Sequence, residues 1–127
     1  MPEELDPSVS DSILDSIKKL LGVPAEYDVY DLDISMHINS VFATFHQFGL
    51  GPSTGYFIED RTKTWTEYIG EVPNINSVKT LVYLKVRLLF DPPTTSFAIA
   101  AMETQVKELE WRLTSEMEGV LHPWPTT

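Results

Sequence analysis

The stretch LLFDPPTTSFAIAAM, residues 88–102, decides how this chain is read. Pro92 and Pro93 have no backbone N–H, and a residue before proline is pushed out of the α region, so a helix arriving through Leu88 and Phe90 must end near Asp91. Thr94, Thr95 and Ser96 can each accept a hydrogen bond from a free N–H of a new first turn. A stop signal is followed at once by a start signal, and the turn Asp91, Pro92, Pro93, Thr94 therefore joins two helices as an αα-hairpin.

Working outward, the helix before the turn, about Ile75 to Phe90, is apolar on nearly every side (Val78, Leu81, Val82, Leu84, Val86, Leu88, Leu89), the pattern of a central helix. The helix after it, about Thr95 to Glu118, carries Met102, Val106, Leu109, Leu113, Met117 and Val120 on one stripe. Glu103–Lys107 and Glu108–Arg112 are i,i+4 pairs on its other side. At about 1.5 Å per residue the two helices are roughly 25 Å and 36 Å long, so the second overhangs by about 10 Å. Leu113, Met117 and Val120 fall on that overhang. Unless the first helix of the chain covers them, they are expected to meet another protein, because a contiguous exposed apolar stripe usually marks an interface.

Upstream, Ser10 or Ser12 can cap a short helix carrying Ile13, Leu14, Ile17, Leu20 and Leu21, ended by Gly22 and Pro24, with Lys18 and Lys19 in its last turn. The acidic segment EYDVYDLD leads into a second helix, which Asp31 or Asp33 is placed to cap. Its apolar positions Ile34, Ile38, Val41, Phe45 and Phe48 form one face over four turns, closed by Gly49 and Gly51-Pro52. Between the second and third helices lies a loop of about 25 residues, an uncommon length that usually marks function or contact. Within it TGYFIED is a possible extended piece and TWTEYIG one or two helical turns. Its aromatics Tyr56, Phe57, Trp65 and Tyr68 either fold back on the core or meet a neighbouring subunit. The fold class is all-α: a small bundle of four main helices in a single domain, with a mobile start at residues 1–10, a helical core at 11–118 and a flexible tail at 119–127.

Composition narrows the function. The 127 residues include no cysteine, so disulfides and thiolate metal sites are excluded and an intracellular assembly compartment is expected. No stretch approaches the roughly 20 apolar residues of a membrane span, and the acidic MPEELDPSVSD is no signal peptide. Nine Lys and Arg against nineteen Asp and Glu give a net charge of −10, which argues against gripping nucleic-acid phosphates. Residues 1–33 hold nine acids and two bases, whereas 61–91 hold five bases and three acids. Opposite-signed halves suit head-to-tail contact between copies, or else describe a solvated acidic face.

No constellation points to catalysis, metal or cofactor. Asp33 and His37 share a helical face without a third ligand; Asp28, Asp31 and Asp33 lack the glycine and trailing glutamate of a calcium loop. GLGPSTG has no lysine after its glycines and no preceding strand, so it is no phosphate loop, and Glu59-Asp60 has no evident partner. Trp124 is the odd residue. Flanked by Pro123 and Pro125, it cannot be helix stripe, and an extended segment with fixed φ angles around a large aromatic suits docking on a partner.

Three stretches, ILDSIKKLLGV, MHINSVFATFHQFGLGP and VKTLVYLKVRLLFDPPTTSFAIAAMETQVKELEWRL, resemble the head–tail connector proteins of tailed bacteriophages, also termed adaptor or head-completion proteins. The similarity spans about residues 13 to 113. It implies a small helical virion protein, not an enzyme, that forms a ring of about twelve copies beneath the portal and a platform for the next neck (stopper) or tail-completion protein. It also implies DNA passing without specific binding, a place in the virion neck, and assembly in the bacterial host cytoplasm. The tail GVLHPWPTT is not part of the resemblance. The competing class is a small phage-encoded acidic binding or regulatory protein acting on a host or phage partner.

Overall fold

The computed structural model describes residues 11–121, the last five by backbone alone. Five helices follow in chain order: α1 (Ile13–Leu21), α2 (Asp31–Gln47), α3 (Trp65–Ile69), α4 (Ile75–Phe90) and α5 (Ser96–Leu121), with no strand among the described residues.

The ends of α1 follow from its sequence. Ser12 Oγ accepts from the Asp15 N–H at 3.2 Å, and Gly22 takes the left-handed conformation (φ 83°) that lets the chain turn off the helix. Ile13, Leu14 and Ile17 face the core; so does Lys18, only 1% exposed. Its Nζ lies 2.7 Å from Asp31 Oδ1 and donates to the Ala25 carbonyl at 2.9 Å, so the basic end of α1 is clamped to the acidic start of α2. That start departs from expectation. Tyr30, not an aspartate, is the N-cap residue and makes no side-chain cap bond; Asp31 and Asp33 sit in the first turn, where they complement the helix dipole.

Along α2 the spacing of apolar residues gives the buried face: Ile34, Ile38, Val41 and Phe45 are at most 2% exposed, joined by Phe42. Helix α4 is central. It buries Val78, Leu81, Val82, Leu84 and Val86, packing on α2 along one side and on α5 along another, with α1 across α2 and α4. Helices α2 and α5 share no extensive contact, so they form outer layers about α4. Lys85 Nζ to Glu110 Oε2 (2.7 Å) and Asn74 Nδ2 to Glu116 Oε1 (2.7 Å) tie α5 alongside the whole length of α4. Helix α5 runs to Leu121, past the expected end at Glu118, because Gly119 weakens a helix by about 1 kcal/mol without breaking it.

The long loop is a packed element rather than a free one. Ser12 and Thr64 form an antiparallel bridge, with Ile13 N–H donating to the Lys63 carbonyl and Trp65 N–H to the Asp11 carbonyl, both at 3.0 Å. Asn39 on α2 imitates a strand partner for Ile58, accepting its N–H at 2.7 Å and donating to its carbonyl at 2.9 Å. Arg61 closes on Asp15 through Nε (3.0 Å) and Nη2 (3.2 Å). At Ile58, Thr62 and Ser53 side chains take the place that a strand partner would fill for the backbone.

Candidate functional site

The hairpin turn is held at both ends. Asp91 leaves α4 in an extended conformation (φ −150°, ψ 70°), and Arg87 Nε donates to its carbonyl at 2.6 Å while Nη1 donates to the Tyr83 hydroxyl at 3.1 Å. Thr95 Oγ1 accepts from the Ala98 N–H at 3.1 Å and so caps α5. Pro92 and Thr94 are exposed and Pro93 half-buried, so the prolines contribute rigidity more than packing. Replacing both (Pro92→Ala with Pro93→Ala) is expected to leave helix content by circular dichroism nearly unchanged while loosening the angle between α4 and α5. Distances between spin labels on α4 and α5 that stay as narrowly distributed as in the parent would show that the prolines do not set this angle.

The loop aromatics separate. Trp65 (1% exposed) and Tyr68 (3%) fold back on the core, Trp65 Nε1 donating to Ser16 Oγ at 2.8 Å and Tyr68 stacking on Phe42 at 4.2 Å between centroids. Tyr56 is half-buried and donates to Glu67 Oε1 at 2.9 Å; burial first, and then that bond, push its hydroxyl well above the usual tyrosine range. Phe57, at 60% exposed, is the member of the four that a neighbour can reach.

The overhang is shorter than expected. Leu113 is only 3% exposed and belongs to the core, because the Asn74–Glu116 bond places it inside the length paired with α4. Only residues 117–121 of α5 continue past that level. The side chains of Met117 and Val120, and all of Trp124, lie outside the described residues.

Two apolar surfaces appear that periodicity did not reveal. On α5, Phe97 (83% exposed) and Trp111 (70%) stand on the face opposite Val106 and Leu113, fourteen residues or about 21 Å apart. Exposed Ala100, Ala101 and Thr104 lie between them. The available signal was an aromatic pair off the apolar stripe, at four turns' separation. On the other outer layer, Val29, Leu32 and Met36 are 61–72% exposed, continued by Tyr27 and Tyr30. Tyr30 meets Phe90 edge-on at 5.3 Å, so this patch reaches the end of α4, where Leu89 is also exposed. Glu26, Asp28 and Asp33, all exposed, rim it with negative charge.

The five bases of residues 61–91 are engaged within the chain. Arg61 holds Asp15, Lys85 holds Glu110, Arg87 holds the turn, and Lys63 and Lys79 lie over the rings of Tyr56 (5.9 Å) and Trp65 (5.8 Å). Among the described residues only Arg61–Asp15 pairs a base of this segment with an acid of residues 1–33, so most of the N-terminal acids are left without a base from it.

The weaker motifs have local explanations. Asp60 Oδ1 accepts from the hydroxyl and N–H of Thr62, bonds that hold its carboxyl below the usual range, the hydroxyl first. The His37 ring packs edge-on to Phe90 at 6.4 Å, and among the described residues no three His, Asp or Glu gather as metal ligands. In GLGPSTG, Gly51 (φ 91°) passes so close to Tyr68 that an added Cβ would fall 2.6 Å from its Cε1. His46 Nε2 donates to the Ser53 carbonyl at 2.9 Å across this turn.

A layered helical subunit with an apolar surface on each outer layer is a component built for assembly. The family model for phage connector protein matches residues 13–120, and the chain belongs to that family, a structural family of the bacteriophage head–tail connector. No curated protein and no solved structure matches the chain.

Proposed function

We propose that the chain is the repeating subunit of a ring beneath the portal at the capsid vertex, twelve copies in the virion, that receives the next neck (stopper) or tail-completion protein and lets DNA pass. The observation that carries this is the pair of unlike apolar faces, Phe97–Trp111 on α5 and Leu32–Met36 on α2 with Val29 just before it, on opposite layers about α4. A subunit with two different sticky faces makes head-to-tail contacts, and such contacts close into rings when the rotation allows. A regulatory protein acting on a single partner needs only one such face. Phe57, and the residues 117–124 that include Met117, Val120 and Trp124, are assigned to the portal or a neighbouring subunit.

The net charge of −10 per chain gives an assembled ring a strongly negative field, in which DNA phosphates find few cations to hold them. No helix among the described residues is long and apolar enough to cross a membrane. The place of action is the virion neck, after assembly in the host cytoplasm.

The test is a pair of double substitutions, Phe97→Asp with Trp111→Asp and Leu32→Asp with Met36→Asp. All four side chains are more than half exposed, so each double variant is expected to keep its stability to within about 1 kcal/mol, roughly 0.5 per surface site. Rings formed on purified portal, viewed by negative stain, should be lost in both. Normal rings from both variants sink the reading.

A further inference from the structure

Between the glycine-rich turn, the chain after α3 and the last described side chains of α5 lies a groove of about 750 Å³, lined mainly by apolar groups including Leu50, Pro52, Tyr68, Val72 and Pro73, with Glu116 at its edge. Its volume lies within the roughly 300–1,000 Å³ of ligand-binding clefts. Tyr68, one of its lining residues, is 3% exposed and its hydroxyl has no hydrogen-bond partner among the described residues. Burial pushes that hydroxyl well above the usual tyrosine range, so it stays a donor that lacks an acceptor. The other buried oxygen without a hydrogen bond among the described residues, Asp31 Oδ1, has the Lys18 ammonium 2.7 Å away. The groove therefore combines rigid proline walls with an aromatic ring whose unpaired hydroxyl is buried from solvent.

One segment of this chain has the matching chemistry. His122-Pro123-Trp124-Pro125 places a large aromatic between two residues of fixed φ. Each proline also leaves a carbonyl acceptor without an N–H of its own to bond, and grooves lined by aromatics take extended proline-containing segments. The geometry of α5 bears on which copy supplies it. The helix passes the groove at Glu116 and runs on to Leu121, about 7 Å farther along its axis. Trp124 follows three residues later, a reach of at most about 11 Å. A return to its own groove needs a tight reversal within these few residues, two of which have φ fixed by a proline ring.

We propose that the groove of one copy receives the Pro123-Trp124-Pro125 segment of the neighbouring copy, an inference that rests on the ring reading and specifies one of its contacts. Each subunit then both gives a segment and receives one, so the contact is heterologous and repeats around the ring.

The absence of native cysteine allows a clean test. The full chain carrying Val72→Cys and Thr126→Cys is oxidised alone at high concentration and on portal. The expected product is a ladder of covalent oligomers on a non-reducing gel. Mixing chains that carry one substitution each should stop the ladder at dimers, and Trp124→Ala in the doubly substituted chain should lower cross-linking at least tenfold. Pro52→Cys in place of Val72→Cys repeats the measurement from the other side of the groove, should the first variant be unstable. An intramolecular product at monomer mass means that the tail fills its own groove and overturns the proposal. So does normal ring formation on portal without cross-links, which leaves the ring reading standing. Loss of rings in the α2 and α5 face variants speaks to that reading alone, since none of those residues lines the groove.

Discussion

Leu113→Asp is expected to unfold the subunit, not merely to prevent its association. Leu113 sits 3% exposed in the core, beside the half-buried Leu109 and inside the length of α5 paired with α4. Truncating a buried leucine costs about 3–5 kcal/mol, and the introduced carboxyl must in addition be desolvated with no cation assigned to it. The sum is comparable with the roughly 5–15 kcal/mol that holds a typical domain together. Burial raises the folded-state pKa of such a group above its unfolded value near ~3.9, so the damage is smallest below about pH 4 and grows as pH rises. Urea melts at pH 4 and pH 7.5 check this. A variant that melts like the parent at pH 7.5 returns Leu113 to a surface stripe and restores the longer overhang.

Trp65→Ala is expected to be the second most damaging change. The side chain is 1% exposed and carries three kinds of contact at once. It donates to Ser16 Oγ at 2.8 Å, its ring meets Phe42 edge-on at 6.3 Å and Tyr68 at 6.5 Å, and Lys79 covers it. Loss of a buried tryptophan leaves a cavity and costs about 3–5 kcal/mol. Phe57→Ala, eight positions earlier in the same loop and 60% exposed, should cost less than about 0.5 kcal/mol. Chemical denaturation of the two variants side by side separates a loop that is core from a loop that is interface; equal effects mean that the packing of α3 is misassigned.

Much of the fold could be read from residues. The Asp91-Pro92-Pro93 stop and the Thr95 start are local chemistry, and so are the Ser12 cap and the Gly22 exit of α1, so they were legible without tertiary information. The buried face of α2 followed from spacing for the same reason, and the central place of α4 from a sequence apolar on nearly every side, although Leu89 of that set is exposed. What was hidden depended on distant partners. The helical turns expected in TWTEYIG are α3, but nothing near Asn39 says that it will pair with the backbone of Ile58, nineteen positions on, so how the loop is held was not legible. The cap of α2 was misplaced because Asp31 is drawn to Lys18 of another helix. Helix lengths alone overstated the overhang, since the register of α5 on α4 is fixed by Asn74 and Glu116. The partner faces were missed for a related reason: periodicity identifies what a helix buries, and Phe97 and Trp111 lie on the face it predicts to be polar.

The bridge between Ser12 and Thr64 has a consequence for the order in which the molecule forms. It joins positions 52 apart in sequence, whereas the α4–α5 hairpin is closed by a turn of a few residues. Closing the longer loop costs more chain entropy and waits on contacts that are already in place, so the hairpin is the fast half and the N-terminal half the slow one. Native-state hydrogen exchange should accordingly show α1 and the 58–64 segment opening before α4. A nascent chain would then be helical around Pro92 and Pro93 while α1 is still searching for its place, and the N-terminal lock would be the last step that separates a folded subunit from an unfinished one.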